Sequence, residues 1–139
     1  MSPLVRKILY AVSFETLGIL VEGAGLLAMS DGSATESLML AALFAGFAMI
    51  WSLTFNALFE RWEARQTMRG RPLSRRALHA LLFEGGLTLM LLPFLSWWLQ
   101  IGLLHTLTLE AGLIAIFIVY TYLFTWAFDA ILGLPPSAR

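Results

Sequence analysis

Four stretches of the chain, 8–29, 37–59, 77–99 and 107–132, are almost continuously apolar, and the polar positions that interrupt them do not alternate with a period of two. Each exceeds the roughly 20 residues that a helix needs to cross a hydrocarbon core of about 30 Å. In lipid a backbone satisfies its N–H and C=O groups as a helix or as a closed barrel, and a barrel would require period-two strands. The pattern predicts an all-α integral membrane protein with four transmembrane helices.

Composition agrees: 59% of residues are hydrophobic and 13% charged, with a mean hydropathy of +0.79, outside the range of soluble domains. The formal net charge of zero conceals a complete asymmetry. All nine Lys and Arg fall on one side of the predicted spans: Arg6 and Lys7, then Arg61, Arg65, Arg69, Arg71, Arg75 and Arg76, then Arg139. The connections SDGSATE and QIGLLHT contain none. Lys/Arg bias in short loops sets orientation, so both termini are expected in the cytoplasm, in a bacterial inner membrane. Residues 8–29 are too long for a cleaved signal core and no cleavage site follows, so helix 1 is expected to remain as an anchor. With no cysteine there is no disulfide or thiolate metal site.

Two stretches, KILYAVSFE at 7–15 and RALHALLFE at 76–84, share a spacing, and the register continues without a gap at an offset of 69. It maps Lys7 to Arg76, Tyr10 to His79, Ala11 to Ala80, Phe14 to Phe83 and Glu15 to Glu84. Further on, Trp51 maps to Tyr120, Phe55 to Phe124, Asn56 to Thr125, Phe59 to Phe128 and Glu60 to Asp129. The chain reads as a duplicated helical hairpin, 1–66 and 67–139, forming one compact membrane domain. Each unit crosses twice, so the repeats are parallel. The linker between them has GRP as a turn signal, and its arginines suit anionic headgroups; no nucleic-acid partner is expected.

Glu15 and Glu84 stand eight residues past Lys7 and Arg76, roughly 12 Å into the span. An ionised group at a helix centre costs on the order of 2.5–3.5 kcal/mol, so such residues face protein or a water-filled cavity. Burial disfavours the charged form of a carboxyl and a nearby cation favours it. A carboxyl in this setting can exchange a proton for a bound cation near neutral pH. The competing reading is a neutral group hydrogen-bonded to a neighbouring helix. On helix 1, Ala11, Glu15, Gly18, Glu22 and Gly25 keep one face in register. Glu22 adds a second carboxyl about 10.5 Å further along, with a water-facing group outside the transport path as the alternative reading, while its counterpart is Leu91. Helix 1 is thus the expected principal path for proton or cation.

Trp51 and Tyr120 are placed near the depths of Glu15 and Glu84, and with Phe14, Phe83 and Asn56 they form a candidate substrate pocket in which ring faces suit organic cations. Ordinary apolar packing is the alternative for the rings. Lys7 and Arg76 at helix N-termini, and Glu60 and Asp129 near C-termini, each oppose the helix dipole, which predicts a cytoplasmic charge clamp among them. Asn56 and Thr125 are expected to hydrogen-bond between helices. His79 and Tyr10 are candidate relay positions, with a hydrogen-bonded histidine as the plainer reading.

The tandem pattern resembles the proteobacterial antimicrobial compound efflux (PACE) family, built of two bacterial transmembrane pair units with a basic-x-x-His-Ala-x-x-Phe-Glu motif opening each half. Arg76, His79, Ala80, Phe83, Glu84, Gly85 and Gly86 match that motif in full. The first copy keeps Ala11, Phe14 and Glu15, with Lys7 for arginine and Tyr10 for histidine. The second-helix motif keeps Trp51, Asn56 and Phe59, with Ser52 for asparagine and Glu60 for aspartate. In the fourth, Asp129 remains while Val119, Thr121 and Thr125 stand for proline, alanine and asparagine. The resemblance implies drug/proton antiport of cationic, lipophilic biocides such as chlorhexidine and acridine dyes, with short diamines as candidate natural substrates. It carries the family's central acidic residue to Glu15.

Two other classes remain open at this stage. A small multidrug resistance transporter also has four helices and a first-helix glutamate, but usually lacks the two-pair duplication. A non-transporting membrane assembly or accessory protein would use the carboxylates only to fix helix partners. No nucleophile–base set, phosphate loop or dense metal cluster suggests an enzyme, and no cofactor is expected; His105, Thr106 and Glu110 make a weak metal pattern. Ala41, Ala42, Ala45 and Gly46 offer a close-packing face, and four helices enclose little volume, so a homodimer is the expected assembly.

Overall fold

The computed structural model describes residues 1–29 and 33–139; the first outer connection therefore lies partly outside the described residues. Among the described residues four helices follow in order: α1 (Pro3–Met29), α2 (Ala34–Ala64), α3 (Leu73–Leu99) and α4 (Leu103–Leu132), and a 3-10 turn covers Pro136–Ala138. Among the described residues three stretches are long and apolar enough to cross a membrane: Ala41–Ala64, Leu73–Trp97 and Leu103–Leu132. At 27 residues α1 has comparable length, about 40 Å at 1.5 Å per residue. It is the helix that carries Glu15 and Glu22.

Every helix is longer than its apolar stretch, because hydropathy marks what lipid requires and not where backbone hydrogen bonding stops. The start of α1 shows this: Ser2 Oγ accepts from the Val5 N–H at 3.3 Å, and Pro3 opens the first turn. Serine at the N-cap followed by proline is a strong start signal, five residues before the apolar run begins. At its far end α3 closes with Gln100 in the left-handed region (φ 56), its N–H directed to Ser96 and Trp97 carbonyls, while Ile101 N–H reaches Ser96 O at 3.2 Å. This is a Schellman-type cap with glutamine at the usual glycine position. Gly133 (φ 81) follows the last residue of α4, and Gly70 (φ 81) makes the turn signalled by GRP; both conformations favour glycine.

The chain divides into two compact units, one of residues 1–70 and 128–139 and the other of residues 71–127. In the first, α1 and α2 pack together. A Cβ built on Gly23 would lie 2.8 Å from Leu38 Cδ2 and 3.8 Å from Leu38 Cα, so a small residue lets the two helices approach closely there. The buried stripe of α2 is Ala41, Ala45, Ala48, Ser52, Phe55 and Phe59, alternating steps of four and three along one face. The face of small residues expected on helix 2 is therefore split. Ala41 and Ala45 are buried, whereas Ala42 and Gly46 are exposed and nothing lies within 4 Å of a Cβ on Gly46.

After α4 the chain folds back on the first unit. The 3-10 turn packs against α2, Ser137 Oγ donates to the buried Glu63 carboxylate at 2.7 Å, and Gly70 N–H donates to Ala138 O at 2.7 Å.

The split stripe gives a paired test. Ala41→Leu inserts three heavy atoms where no surface is exposed and should destabilise by about 1–3 kcal/mol through overpacking. Ala42→Leu should leave thermal unfolding in detergent unchanged within about 0.5 kcal/mol. Equal effects of the two would show that the stripe is assigned to the wrong face.

Candidate functional site

On α1, Glu15 is only 6% exposed, Ala11 and Gly18 are buried with it, and Glu22 and Gly25 are half-buried. The expected face is present, with its deepest part around Glu15. One turn toward the N-terminus, Tyr10 stacks on Phe14 (centroids 5.7 Å apart, planes 7°) and meets Phe128 edge-on at 5.1 Å. Four-residue and three-residue steps align Trp51, Phe55, Phe59 and Trp62 along α2, with successive ring centroids 5.5, 5.8 and 5.2 Å apart. Asn56 Nδ2 donates to Ser52 O at 2.8 Å and to Ser52 Oγ at 3.4 Å. These amide bonds run within α2, where the sequence suggested bonding between helices.

The second unit builds the equivalent positions differently. Glu84 is 4% exposed and accepts a hydrogen bond from Thr121 Oγ at 2.8 Å, across from α3 to α4. His79 is buried and stacks on Phe83, four residues along the same helix, at 6.2 Å. Tyr120 lies between Phe117 (5.5 Å) and Phe124 (5.9 Å) on α4, the counterpart of the α2 aromatic row. Arg76 donates to the Thr125 carbonyl at 3.3 Å. Glu15 and Glu84 belong to different units.

At the charged end of the first unit Lys7 Nζ meets Glu60 at 2.9 Å, one of the pairings expected of the clamp. Asp129 is held by Arg6, at 2.6 Å, a residue that sequence reasoning had used only for orientation. The same terminal nitrogen of Arg6 donates to Gly133 O at 2.9 Å, and the guanidinium lies 5.0 Å from the Phe128 ring centroid. Asp129 opposes the dipole at the end of α4 and Arg6 opposes it at the start of α1, so bringing them together cancels both penalties. Arg6 also satisfies a carbonyl just past the last turn of α4, one of the groups a helix end leaves unmatched. The overlooked signal was the repeat itself, since Arg6 maps to Arg75 at the same offset of 69 and each half opens with two adjacent cations.

Among the described residues no cluster of three metal-ligating side chains occurs, and His105 is exposed on α4.

The sequence model of the chlorhexidine efflux transporter (BTP) family matches the chain twice, over residues 2–65 and 71–134. The chain belongs to this family. Starts and ends of the two matches are both displaced by 69 residues (71 − 2 and 134 − 65), the offset of the internal repeat. The chain is also similar to proteins named short-chain diamines transporter. That of Vibrio parahaemolyticus is 32% identical over 129 residues, covering 91% of this chain and 89% of the relative. That of Acinetobacter baylyi is 30% identical over 126 residues, with coverage of 91% and 89%. The corresponding protein of Acinetobacter baumannii is 28% identical, with coverage of 91% and 87%. No solved structure matches. Family membership and the apolar helices make this a multi-pass transporter of the bacterial inner membrane and not an enzyme.

The Arg6 contact is open to a double-mutant cycle. With side-chain exposures of 8% and 2%, Arg6 and Asp129 are a buried pair, against 27% and 16% for Lys7 and Glu60. Arg6→Gln or Asp129→Asn alone should cost about 3–5 kcal/mol by stranding a charge, and the double variant less than the sum. The Lys7 and Glu60 cycle should give about 1 kcal/mol or less. Strict additivity at Arg6 and Asp129 would refute a direct coupling.

Proposed function

We propose that this protein exports small organic cations from the cell in exchange for protons, with Glu15 as the site that proton and cation share. The observation that carries the reading is a carboxyl buried on the small-residue face of α1 in a chain of an efflux family. Cation binding favours the ionised carboxylate and so releases a proton, and proton binding releases the cation; one group occupied by one or the other couples the two flows.

Substrate chemistry points the same way. Chlorhexidine, named for the family, and short-chain diamines, named for the relatives, are molecules with two cationic ends. Glu22 shares the face of Glu15 about 10.5 Å along the axis, which suits it to the second end of such a molecule. Glu84 is the equivalent carboxyl of the second repeat; Phe14, Trp51 and Asn56 are proposed as substrate-lining groups of the first unit, and Phe83 and Tyr120 as their counterparts in the second. Tyr10 and His79 are candidate relay groups beside these carboxylates. The ion pairs Lys7–Glu60 and Arg6–Asp129 serve as a clamp closing the charged end of the first unit, and Arg76, on the Thr125 carbonyl, plays the corresponding part within the second. In this reading α1 is the fourth membrane span and both termini are cytoplasmic, the side to which all nine cations belong. The exposed Ala42 and Gly46 on α2 provide a close-approach surface for a second copy.

Purified protein in proteoliposomes should release protons when chlorhexidine or a diamine is added, and apparent affinity should fall as pH falls. Glu15→Gln should abolish coupled transport, weaken binding by about tenfold to a hundredfold, or roughly 1.4–2.8 kcal/mol, and flatten its pH dependence. Glu22→Gln should weaken dications more than monocations of similar size. Unimpaired proton-driven export by Glu15→Gln would remove Glu15 from the mechanism.

For orientation, cysteines placed singly at each terminus and in the 61–76 linker should be protected from an impermeant thiol reagent in intact cells. Substantial labelling at those positions would overturn the cytoplasmic assignment.

A further inference from the structure

The two repeats present a hydroxyl at the same position, Ser52 on α2 and Thr121 on α4, 69 residues apart. Both are fully buried, and they are used in different ways. Ser52 receives the Asn56 amide within its own helix. Thr121 crosses to the facing helix and donates to Glu84 Oε1 at 2.8 Å. The residue at the Asn56 position of the second repeat is Thr125, which has no amide to direct at the hydroxyl one turn away. Thr121 is therefore released from the local arrangement that occupies Ser52.

We propose that Thr121 is a positioning residue of the second repeat, whose hydroxyl fixes the Glu84 carboxylate and favours its charged, cation-accepting form. This deepens the transport reading above and rests on it for its role in export. A hydrogen bond donated to a carboxylate stabilises the ionised state over the protonated one. In an apolar surrounding, where water does not replace the lost donor, that preference is not compensated by solvent. Besides Glu84, the titratable and charged groups of this unit on the two helices are His79, Arg75 and Arg76 on α3, with His105, Glu110, Tyr120 and Tyr122 on α4. A substitution at 121 alters none of them.

Thr121→Val keeps the branched shape and removes the donor, Thr121→Ala removes both, and Thr121→Ser restores the donor in a smaller side chain. The direct readout is the infrared carboxyl stretch of purified protein in nanodiscs followed against pH, with the Glu84 band assigned by its loss in Glu84→Gln. Thr121→Val and Thr121→Ala should each move the titration of that band upward by about one pH unit, and Thr121→Ser should leave it near the wild-type position. Chlorhexidine binding should weaken in the Val and Ala variants around neutral pH and recover in alkaline buffer. On a Glu84→Gln background Thr121→Val should have no additional effect on the pH profile. A band that titrates alike in wild type, Thr121→Val and Thr121→Ala would overturn the proposal, as would a Ser variant that behaves like Val. Because the infrared titration needs no transport, it separates failure at Thr121 from failure of proton-coupled export, which proteoliposomes read independently.

Discussion

An ionisable group inside an apolar helix has to be compensated by protein, because lipid offers neither hydrogen bonds nor counterions. Much of the polar structure of this chain follows from that constraint. Glu84 is met by Thr121, Asp129 by Arg6, Glu60 by Lys7 and Glu63 by Ser137. The chain retains these carboxyls although each carries a cost; in the proposed function the negative charge that an exporter of cations needs is assigned to Glu15, Glu22 and Glu84. The structural contacts are the condition under which such charge can be kept.

The duplicated hairpin meets this constraint twice with unequal means. At equivalent positions the first repeat has Lys7, Tyr10, Glu22, Ser52 and Asn56, and the second has Arg76, His79, Leu91, Thr121 and Thr125. The aromatic rows are shared, with Trp51 and Phe55 answered by Tyr120 and Phe124. Packing is therefore repeated more faithfully than polarity. Residues that only fill space are interchangeable within a size class, whereas each polar group is tied to one partner, and its partner must change with it.

The helices, their number, the repeat and the buried carboxyls were legible from the sequence, because hydropathy and a constant offset are one-dimensional patterns. Partner choice was less so. Neighbouring residues on a helix point about 100° apart, and the sequence does not state how the helix is turned. Lys7 faces Glu60 while adjacent Arg6 reaches Asp129, and Ala41 is buried while adjacent Ala42 is exposed. The helix starts were not read from hydropathy, which marks only the apolar run from residue 8; the cap at Ser2 and Pro3 lies before it. The contact between Ser137 and Glu63 had no sequence signal, since it joins residues 74 positions apart, one in the 3-10 turn and the other in α2.

The bond from Gly70 N–H to Ala138 O also has an architectural meaning. Residue 70 is the last before the second family match begins at 71, and Ala138 lies just beyond its end at 134. The points where the chain departs for the second hairpin and where it returns are thus stitched together on the first unit. A segment whose two ends meet is inserted into a host at a single seam, as an embedded domain is. Exchange of the second hairpin between relatives then has to match that junction, formed by Gly70, Ser137, Ala138 and Glu63, together with the contacts of Phe128, Asp129 and Gly133 to α1.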